Sequence, residues 1–145
     1  MKITKTIQTL IDAAQAAQLN SYSPYSKYKV GAAVLTKEGK IYTGTNIENA
    51  SYGLTVCAER NALFSAIGAG EKDFEAIAIT AGRQDTKGEV SPCGACRQVM
   101  QEFFTPNTPV YVAVVIKGKV TQLTKRKLKD YLPFAFDIKS LKNKK

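Results

Sequence analysis

The residues most able to do chemistry lie in two short segments, Thr55–Arg60 and Ser91–Arg97. All three cysteines of the chain fall within them: Cys57 in the first, and Cys93 and Cys96, spaced as Cys-x-x-Cys, in the second. Because their number is odd, a framework of disulfides does not account for them. A metal site is the main hypothesis; a redox pair or plain burial in the core are the alternatives for the Cys-x-x-Cys pair taken alone.

The chain contains no histidine, so a metal here has only thiolates and carboxylates as charged ligands. Each cysteine falls in the first turn of a predicted helix, where free N–H groups and a partial positive charge favour thiolate. Structural zinc is closed by four protein ligands, whereas catalytic zinc keeps one position for water. Three thiolates without a fourth ligand therefore predict one catalytic zinc ion per chain, held by Cys57, Cys93 and Cys96.

The absence of histidine also excludes a Ser-His-Asp triad and leaves proton transfer to another group, such as a carboxylate. Glu59 follows Cys57 by two positions, which on a helix do not face each other. It is therefore a candidate proton carrier over the open side of the metal rather than a ligand; a surface ion pair is the alternative. Arg60 can draw charge from a zinc–trithiolate centre, or it is an ordinary helix-surface arginine.

Hydrophobic periodicity and turn residues predict the elements that position these groups. In chain order they are a helix from Ile3 to about Asn20, strands Lys29–Thr36 and Ile41–Asn46, a helix over Cys57–Ile67, a strand over Phe74–Ala81, a helix over Cys93–Phe103, strands Val110–Ile116 and Val120–Thr124, and a short helix over Lys125–Tyr131. This order predicts an α/β fold: a three-layer mixed sheet of about five strands, parallel in the middle, with an antiparallel hairpin at one edge and helices on both faces.

Length and composition indicate one catalytic domain over residues 1–136 and a Lys-rich tail over residues 137–145. No run of about 18 apolar residues occurs, so no membrane span is expected. Polar residues interrupt the apolar stretch near the N-terminus, and a cytoplasmic location is expected. From Lys117 onward the chain has ten basic and two acidic residues, out of a net charge of +9. The basic character belongs to this end, and we expect solvation rather than nucleic-acid binding.

Four sequence blocks occur together in one order: Ser23–Ala32, Asn46–Leu54, Cys57–Ala62 and Pro92–Gln98. They resemble the corresponding segments of the small, homotetrameric, zinc-dependent cytidine deaminases and cover most of residues 20–100. The resemblance implies hydrolytic deamination of cytidine and deoxycytidine to uridine and deoxyuridine, with release of ammonia, in pyrimidine salvage. It also implies a homotetramer whose active sites are shared between subunits.

The resemblance assigns a role to individual residues. At the metal, it implies that Cys57, Cys93 and Cys96 bind zinc, that Glu59 shuttles protons and that Arg60 hydrogen-bonds the ligand sulfurs. For the substrate, it implies that Asn46 and Glu48 bind the ribose 3′-hydroxyl, that Tyr28 stacks near the base and that the main chain of Ala58 holds the pyrimidine edge. It further implies that Tyr52 and Phe136 reach a neighbouring subunit's site. The family's usual Leu-Leu-Pro-Gly-Ala-Phe run is Tyr131–Phe136 here, with Phe134 replacing the glycine. Phe136 is chosen as the donated aromatic, and Phe134 is the alternative.

Two other functions remain open from the residues. One is a sibling deaminase that acts on an aminonucleoside antibiotic, a nucleotide or a polynucleotide base. The carboxylate of Glu48 near the sugar argues mildly against phosphorylated substrates. The other is a structural zinc module that binds nucleic acid through the basic tail, and the missing fourth ligand argues against it.

Overall fold

The computed structural model describes residues 1–141, so residues 142–145 of the predicted tail lie outside it. The chain forms α1 (Lys5–Gln18), β1 (Lys29–Thr36), β2 (Ile41–Thr45), α2 (Ala58–Gly68), β3 (Phe74–Gly82), α3 (Gly94–Phe103), β4 (Pro109–Ile116), β5 (Lys119–Lys127) and α4 (Leu128–Tyr131). Short 3-10 helices occupy Tyr52–Leu54 and Ile138–Leu141. Part of the predicted tail is therefore helical.

The strands form one five-stranded sheet in the order β2-β1-β3-β4-β5. Only the β3–β4 pair is parallel; β1–β2, β1–β3 and β4–β5 are antiparallel. The mixed α/β sheet and its antiparallel hairpin edge are confirmed. The sheet contains fewer parallel strand pairs than predicted. The strands β2 and β3 run in the same direction but are not paired, because β1 lies between them.

Alternation along the strands divides the core between the two faces of the sheet. Ala32 and Val34 of β1 face a cluster that includes α2 and α3, whereas Ala33 and Leu35 face α1. Helices on both faces are thus confirmed. The two outer layers share a sheet whose central strands are buried almost throughout.

Two glycines let the helices approach the sheet closely. A Cβ on Gly31 of β1 would lie 2.0 Å from the Ala14 carbonyl oxygen of α1, and a Cβ on Gly44 of β2 would lie 2.3 Å from the Ala62 nitrogen of α2. Any larger residue would push the helix away. Gly44 therefore helps to set the position of α2, the helix that begins beside Cys57.

The predicted last helix is wrong over Lys125–Lys127. These residues continue β5, where Lys125, Arg126 and Lys127 pair with Tyr111, Val110 and Pro109 of β4. The cross-strand hydrogen bonds of a long, buried partner outweigh the weak helix preference of three basic residues. Only Leu128–Tyr131 is helical.

Within residues 1–141, no helix has both the length and the apolar character that crossing a membrane requires.

Candidate active site

The three cysteines converge at the starts of two helices. Cys57 is the N-cap of α2, Cys93 is the N-cap of α3, and Cys96 is buried in the first turn of α3. Their Sγ atoms all lie within 4.8 Å of one another, and those of Cys57 and Cys93 are 3.8 Å apart. The helix starts that the sequence predicted bring residues 36 positions apart to one point.

Local hydrogen bonds favour thiolate at Cys57. The backbone N–H of Cys96 donates to Cys93 Sγ over 3.4 Å, and Arg60 Nη2 donates to Cys57 Sγ over 3.3 Å. A hydrogen bond with the Cys96 thiol, together with the Arg60 guanidinium, lowers the pKa of Cys57 to about 5. The same hydrogen bond raises the pKa of Cys96, so the two sulfurs share a proton that a metal ion would displace.

This sulfur arrangement fits zinc. With Zn–S bonds of ~2.3 Å in tetrahedral geometry, two ligand sulfurs lie ~3.8 Å apart, which matches Cys57 and Cys93. Within residues 1–141, these cysteines form the one cluster of three or more His, Cys, Asp or Glu residues that could hold a metal ion. The donor set is soft and anionic, as zinc prefers, and it leaves a fourth position to solvent or substrate.

Glu59 lies in the same place and is not part of that sulfur cluster. It is the second residue of α2, it is only 5% exposed, and it lines a cavity of about 330 Å³ together with Cys57 and Cys93. Burial raises the pKa of the Glu59 carboxyl to about 7, with a further contribution from the Cys57 thiolate. A carboxyl that is close to half-ionised at neutral pH can both accept and donate a proton.

The same cavity is lined by three of the residues proposed to bind substrate: Tyr28, Asn46 and Glu48. The side chain of Asn46 is held on both sides: its Oδ1 accepts from Val30 N over 2.9 Å, and its Nδ2 donates to the Tyr28 carbonyl over 2.8 Å. One Nδ2 hydrogen therefore remains for a ligand.

Glu48 is anchored through one oxygen. Its Oε1 accepts from the backbone N–H groups of Tyr25 and Ser26, each over 3.1 Å. A hydrogen bond from the Ser26 side chain, with these N–H groups, holds the pKa of Glu48 below its usual value. Neither of these two backbone bonds uses the other oxygen, so a hydroxyl group can donate to it.

Ala58 is fully buried at the first position of α2, between Cys57 and Glu59, and it is not among the residues lining this cavity. The predicted contact of its main chain with the pyrimidine edge stays a prediction. Tyr52 and Phe136 are 72% and 68% exposed and are not among the residues lining this cavity. Tyr52 contacts the Tyr25 ring edge-on, and the Phe136 carbonyl accepts from Gln98. Their proposed part in a neighbouring subunit's site stays a prediction.

Several residues of the cavity wall were not predicted from the sequence. These are Ser26, Val30, Thr55, Ile79, Ala81, Val90 and Ser91. Ile79 and Ala81 are two apart on β3, so the period-2 pattern of that strand carried a signal for them. Val90 lies in a loop, and nothing in its local sequence indicates a cavity. Arg97 was also missed; it donates to the Pro92 carbonyl over 2.7 Å and to the Tyr131 carbonyl over 2.9 Å, which steadies the segment before Cys93.

Comparison with known proteins agrees with this geometry. Residues 4–113 match the family described as the cytidine and deoxycytidylate deaminase zinc-binding region. The chain belongs to the cytidine and deoxycytidylate deaminase family. It is 47% identical over 135 residues to the cytidine deaminase of Sporosarcina psychrophila, covering 93% of this chain and 94% of that protein. It is 48% identical over 134 residues to that of Halalkalibacterium halodurans, covering 92% and 96%.

Solved structures give the same result. The crystal structure of cytidine deaminase from Burkholderia pseudomallei superposes with a TM-score of 0.82 at 46% identity, covering 92% of this chain and all of that one. The resemblance, the deaminase fold and the zinc-binding character predicted from the sequence are thereby confirmed. This deaminase carries its candidate metal ligands at Cys57, Cys93 and Cys96.

Proposed function

We propose that this deaminase converts cytidine and deoxycytidine to the corresponding uridines by adding water and releasing ammonia. One observation supports this best: a buried carboxyl, Glu59, and two of the clustered thiols, those of Cys57 and Cys93, line a cavity that also contains polar side chains suited to a sugar. Relatives named cytidine deaminase span almost the same length of chain.

Cys57, Cys93 and Cys96 would hold the zinc ion, which would supply Lewis acidity and lower the pKa of a water molecule toward neutrality. Arg60 tunes this centre, because its guanidinium donates to Cys57 Sγ and offsets thiolate charge.

Glu59 carries the protons. It takes one from the attacking water and gives it to N3 of the base, which makes C4 electrophilic. After oxygen has bonded to C4, Glu59 takes the second proton from this new C4 hydroxyl and passes it to the exocyclic amino group. The C4–N bond then breaks, which releases ammonia and leaves the C4 carbonyl of the uridine. Burial suits this carboxyl to both directions of transfer, since it holds the pKa at about 7.

The other polar and aromatic residues of the cavity favour a nucleoside. Asn46 keeps one Nδ2 hydrogen beyond its bond to Tyr28, and the Glu48 carboxylate can accept further hydrogen bonds, which match the acceptor and donor of a ribose hydroxyl. Tyr28 is half-buried and offers an aromatic face to the base. Among the described residues that line the cavity none is Lys or Arg, so a 5′-phosphate would meet a carboxylate without a counter-charge.

We also propose the homotetramer with shared sites. It gives a use to Tyr52 and Phe136, large aromatic side chains that are mostly exposed in the single chain, since exposed aromatic residues are typical of interfaces. The cytoplasmic location and the absence of nucleic-acid binding by the basic end stay predictions.

An ultraviolet assay with cytidine, deoxycytidine, cytosine and CMP tests the substrate assignment. We expect turnover of both nucleosides, with cytosine poor because it lacks the sugar and CMP poor because of its phosphate. Preferential turnover of CMP, or none of cytidine by zinc-loaded protein, would reject the proposal. Blasticidin S belongs in the same panel, because a blasticidin-S deaminase of Bacillus cereus is 37% identical over 106 residues, covering 68% of this chain and 72% of that protein.

A further inference from the structure

The catalytic cavity is smaller than a second cavity, which lies on the other face of the sheet. This second cavity, of about 660 Å³, is called the basic cavity below; it is formed by the C-terminal turn of α1, the ends of β3 and β4, and residues from the loop before β1. Four cationic side chains line it: Lys27, Lys29, Arg83 and Lys117. None of the four lines the catalytic cavity.

The charge of this cavity is strongly unbalanced. Asp85 is the one acidic residue among the described residues of its lining. It is already paired, because Arg83 Nε and Nη2 donate to its two oxygens over 2.6 and 2.7 Å. The three lysines have no carboxylate within salt-bridge distance among the ion pairs of the described chain. Their charges are therefore available to an anion.

Backbone conformation places two of these lysines in unfavourable geometry. Lys27 has φ +58° and Lys117 has φ +51°, two of the three non-glycine residues with positive φ in the described chain. Lys117 precedes Gly118 in the tight β4–β5 hairpin, where Asn, Asp or Gly is favoured over Lys. Such conformations recur at functional sites, where the side chain justifies the strain.

The rest of the wall suits a molecule larger than a bare anion. Gln15, Gln18 and Gln84 bring carboxamide groups, and Leu19 and Val115 bring apolar surface. Gln15 Nε2 donates to the Gly118 carbonyl over 2.7 Å, which fixes the hairpin against α1. A volume of this order is typical of sites for small organic ligands.

We propose that the basic cavity binds the phosphate group of a small phosphorylated metabolite of about nucleotide size. Lysines bind phosphate as point charges, and the amide and apolar walls accommodate the organic part. The proposed ligand differs from the nucleoside substrate in its negatively charged phosphate group. Four cationic side chains line the basic cavity, whereas the described lining of the catalytic cavity contains none.

The two cavities share one wall, which gives the proposed site a consequence for catalysis. Along the chain, Ser26, Tyr28 and Val30 line the catalytic cavity, while the alternate residues Lys27 and Lys29 line the basic cavity. On β3 the same alternation holds: Ala81 lines the first and Gly82 the second. A ligand in the basic cavity therefore contacts residues that are direct sequence neighbours of those lining the catalytic cavity.

Arg83 supplies a route between the faces. Its Nη1 donates to the Ser26 carbonyl over 2.8 Å, and the Ser26 N–H donates to the Glu48 carboxylate over 3.1 Å. An anion that draws the Arg83 guanidinium into the basic cavity weakens its hold on Ser26 and loosens the anchor of Glu48. We expect a higher KM for the nucleoside with little change in kcat; this consequence rests on the proposed function, whereas the binding does not.

Calorimetric titration of the zinc-loaded protein tests the binding itself, at about 0.15 M salt to screen non-specific attraction. The probes are inorganic phosphate, ribose 5-phosphate and AMP, with adenosine as the uncharged control. The test variant is Lys29→Gln with Lys117→Gln, and the matched control is Lys119→Gln, which removes a charge from the same hairpin outside the cavity lining.

We expect the phosphate esters to bind, adenosine not to bind, and the double variant to lose affinity by about tenfold or more while Lys119→Gln keeps it. Equal affinity for inorganic phosphate and AMP would support the anion site and assign it to the phosphate group alone. No binding of any phosphate, or the same loss in Lys119→Gln, would overturn the site. An unchanged KM for cytidine at saturating AMP would overturn the coupling through Arg83, and loss of cytidine turnover altogether in the ligand-free enzyme would instead count against the proposed function.

Discussion

Replacing Glu59 with glutamine removes proton transfer and little else. Glutamine has the same shape and keeps one carbonyl oxygen, so the packing of this buried position beside Ala58 and Cys57 is preserved. Glu59 is not one of the clustered sulfur ligands, and we expect zinc to remain bound. The variant should also fold normally, because the change removes a buried ionisable group rather than a buried apolar one.

The size of the effect follows from the number of transfers that Glu59 performs. One general acid–base group contributes about 10²- to 10⁴-fold. The same carboxyl serves successive transfers to N3 and to the amino group, and no histidine exists to replace it. We therefore expect kcat to fall by at least about 10⁴-fold, or about 5.5 kcal/mol in activation free energy.

The assay follows the absorbance of cytidine at saturating concentration, with zinc measured per chain in the same preparation. Binding of uridine should change much less than kcat, because Asn46, Glu48 and Tyr28 are intact. Glu102→Gln, on the exposed side of α3, makes the same chemical change away from the site and should leave kcat unchanged. If zinc-loaded Glu59→Gln keeps more than a tenth of the parental kcat, Glu59 is not the proton carrier.

Three further outcomes are expected. X-ray absorption of the purified protein should show one zinc per chain with three sulfurs at ~2.3 Å and one lighter atom. Coordination by four sulfurs would contradict the open position. The Cys93→Ala variant should lose the metal and have a lower Tm. Arg60→Ala should keep zinc yet lower kcat by about 10- to 100-fold, since it removes a charge beside Cys57 Sγ rather than a ligand. An unchanged kcat would show that Arg60 is an ordinary helix-surface residue without a role at the metal centre. Sedimentation should give a tetramer, and a fully active monomer would refute the shared site. Truncation after Tyr131 should damage activity more than it damages stability as measured by Tm, whereas removal of residues 143–145 should have little effect on either.

The chemistry of the site could be predicted from the sequence because it depends on residue types and short spacings. Three clustered cysteines in a chain without histidine favour a metal held by thiolates. Glu59 follows Cys57 by two positions, and helix geometry therefore predicts a proton carrier distinct from the ligand. Strand alternation likewise determined which residues of β1 and β3 face each side. These are local properties of the chain, and the fold preserved them.

Other features needed the tertiary structure because they depend on pairing between distant segments. Local propensity favoured a helix over Lys125–Lys127, but the hydrogen bonds of β4 make it a strand. The order of strands placed β1 between β2 and β3, which no spacing along the chain reveals.

Sequence alone thus predicted the cysteine cluster, the candidate proton carrier and the layer architecture, because each prediction follows from residue chemistry or from the periods of helix and strand. Tertiary structure decided the distances and the environment. The 3.8 Å between Cys57 and Cys93, and the burial that raises the pKa of Glu59, arise only when α2 and α3 begin side by side against the sheet. The basic cavity is also a product of folding, because Lys27, Arg83 and Lys117 are far apart in the chain. They meet only where the ends of α1, β3 and β4 lie beside the start of β1.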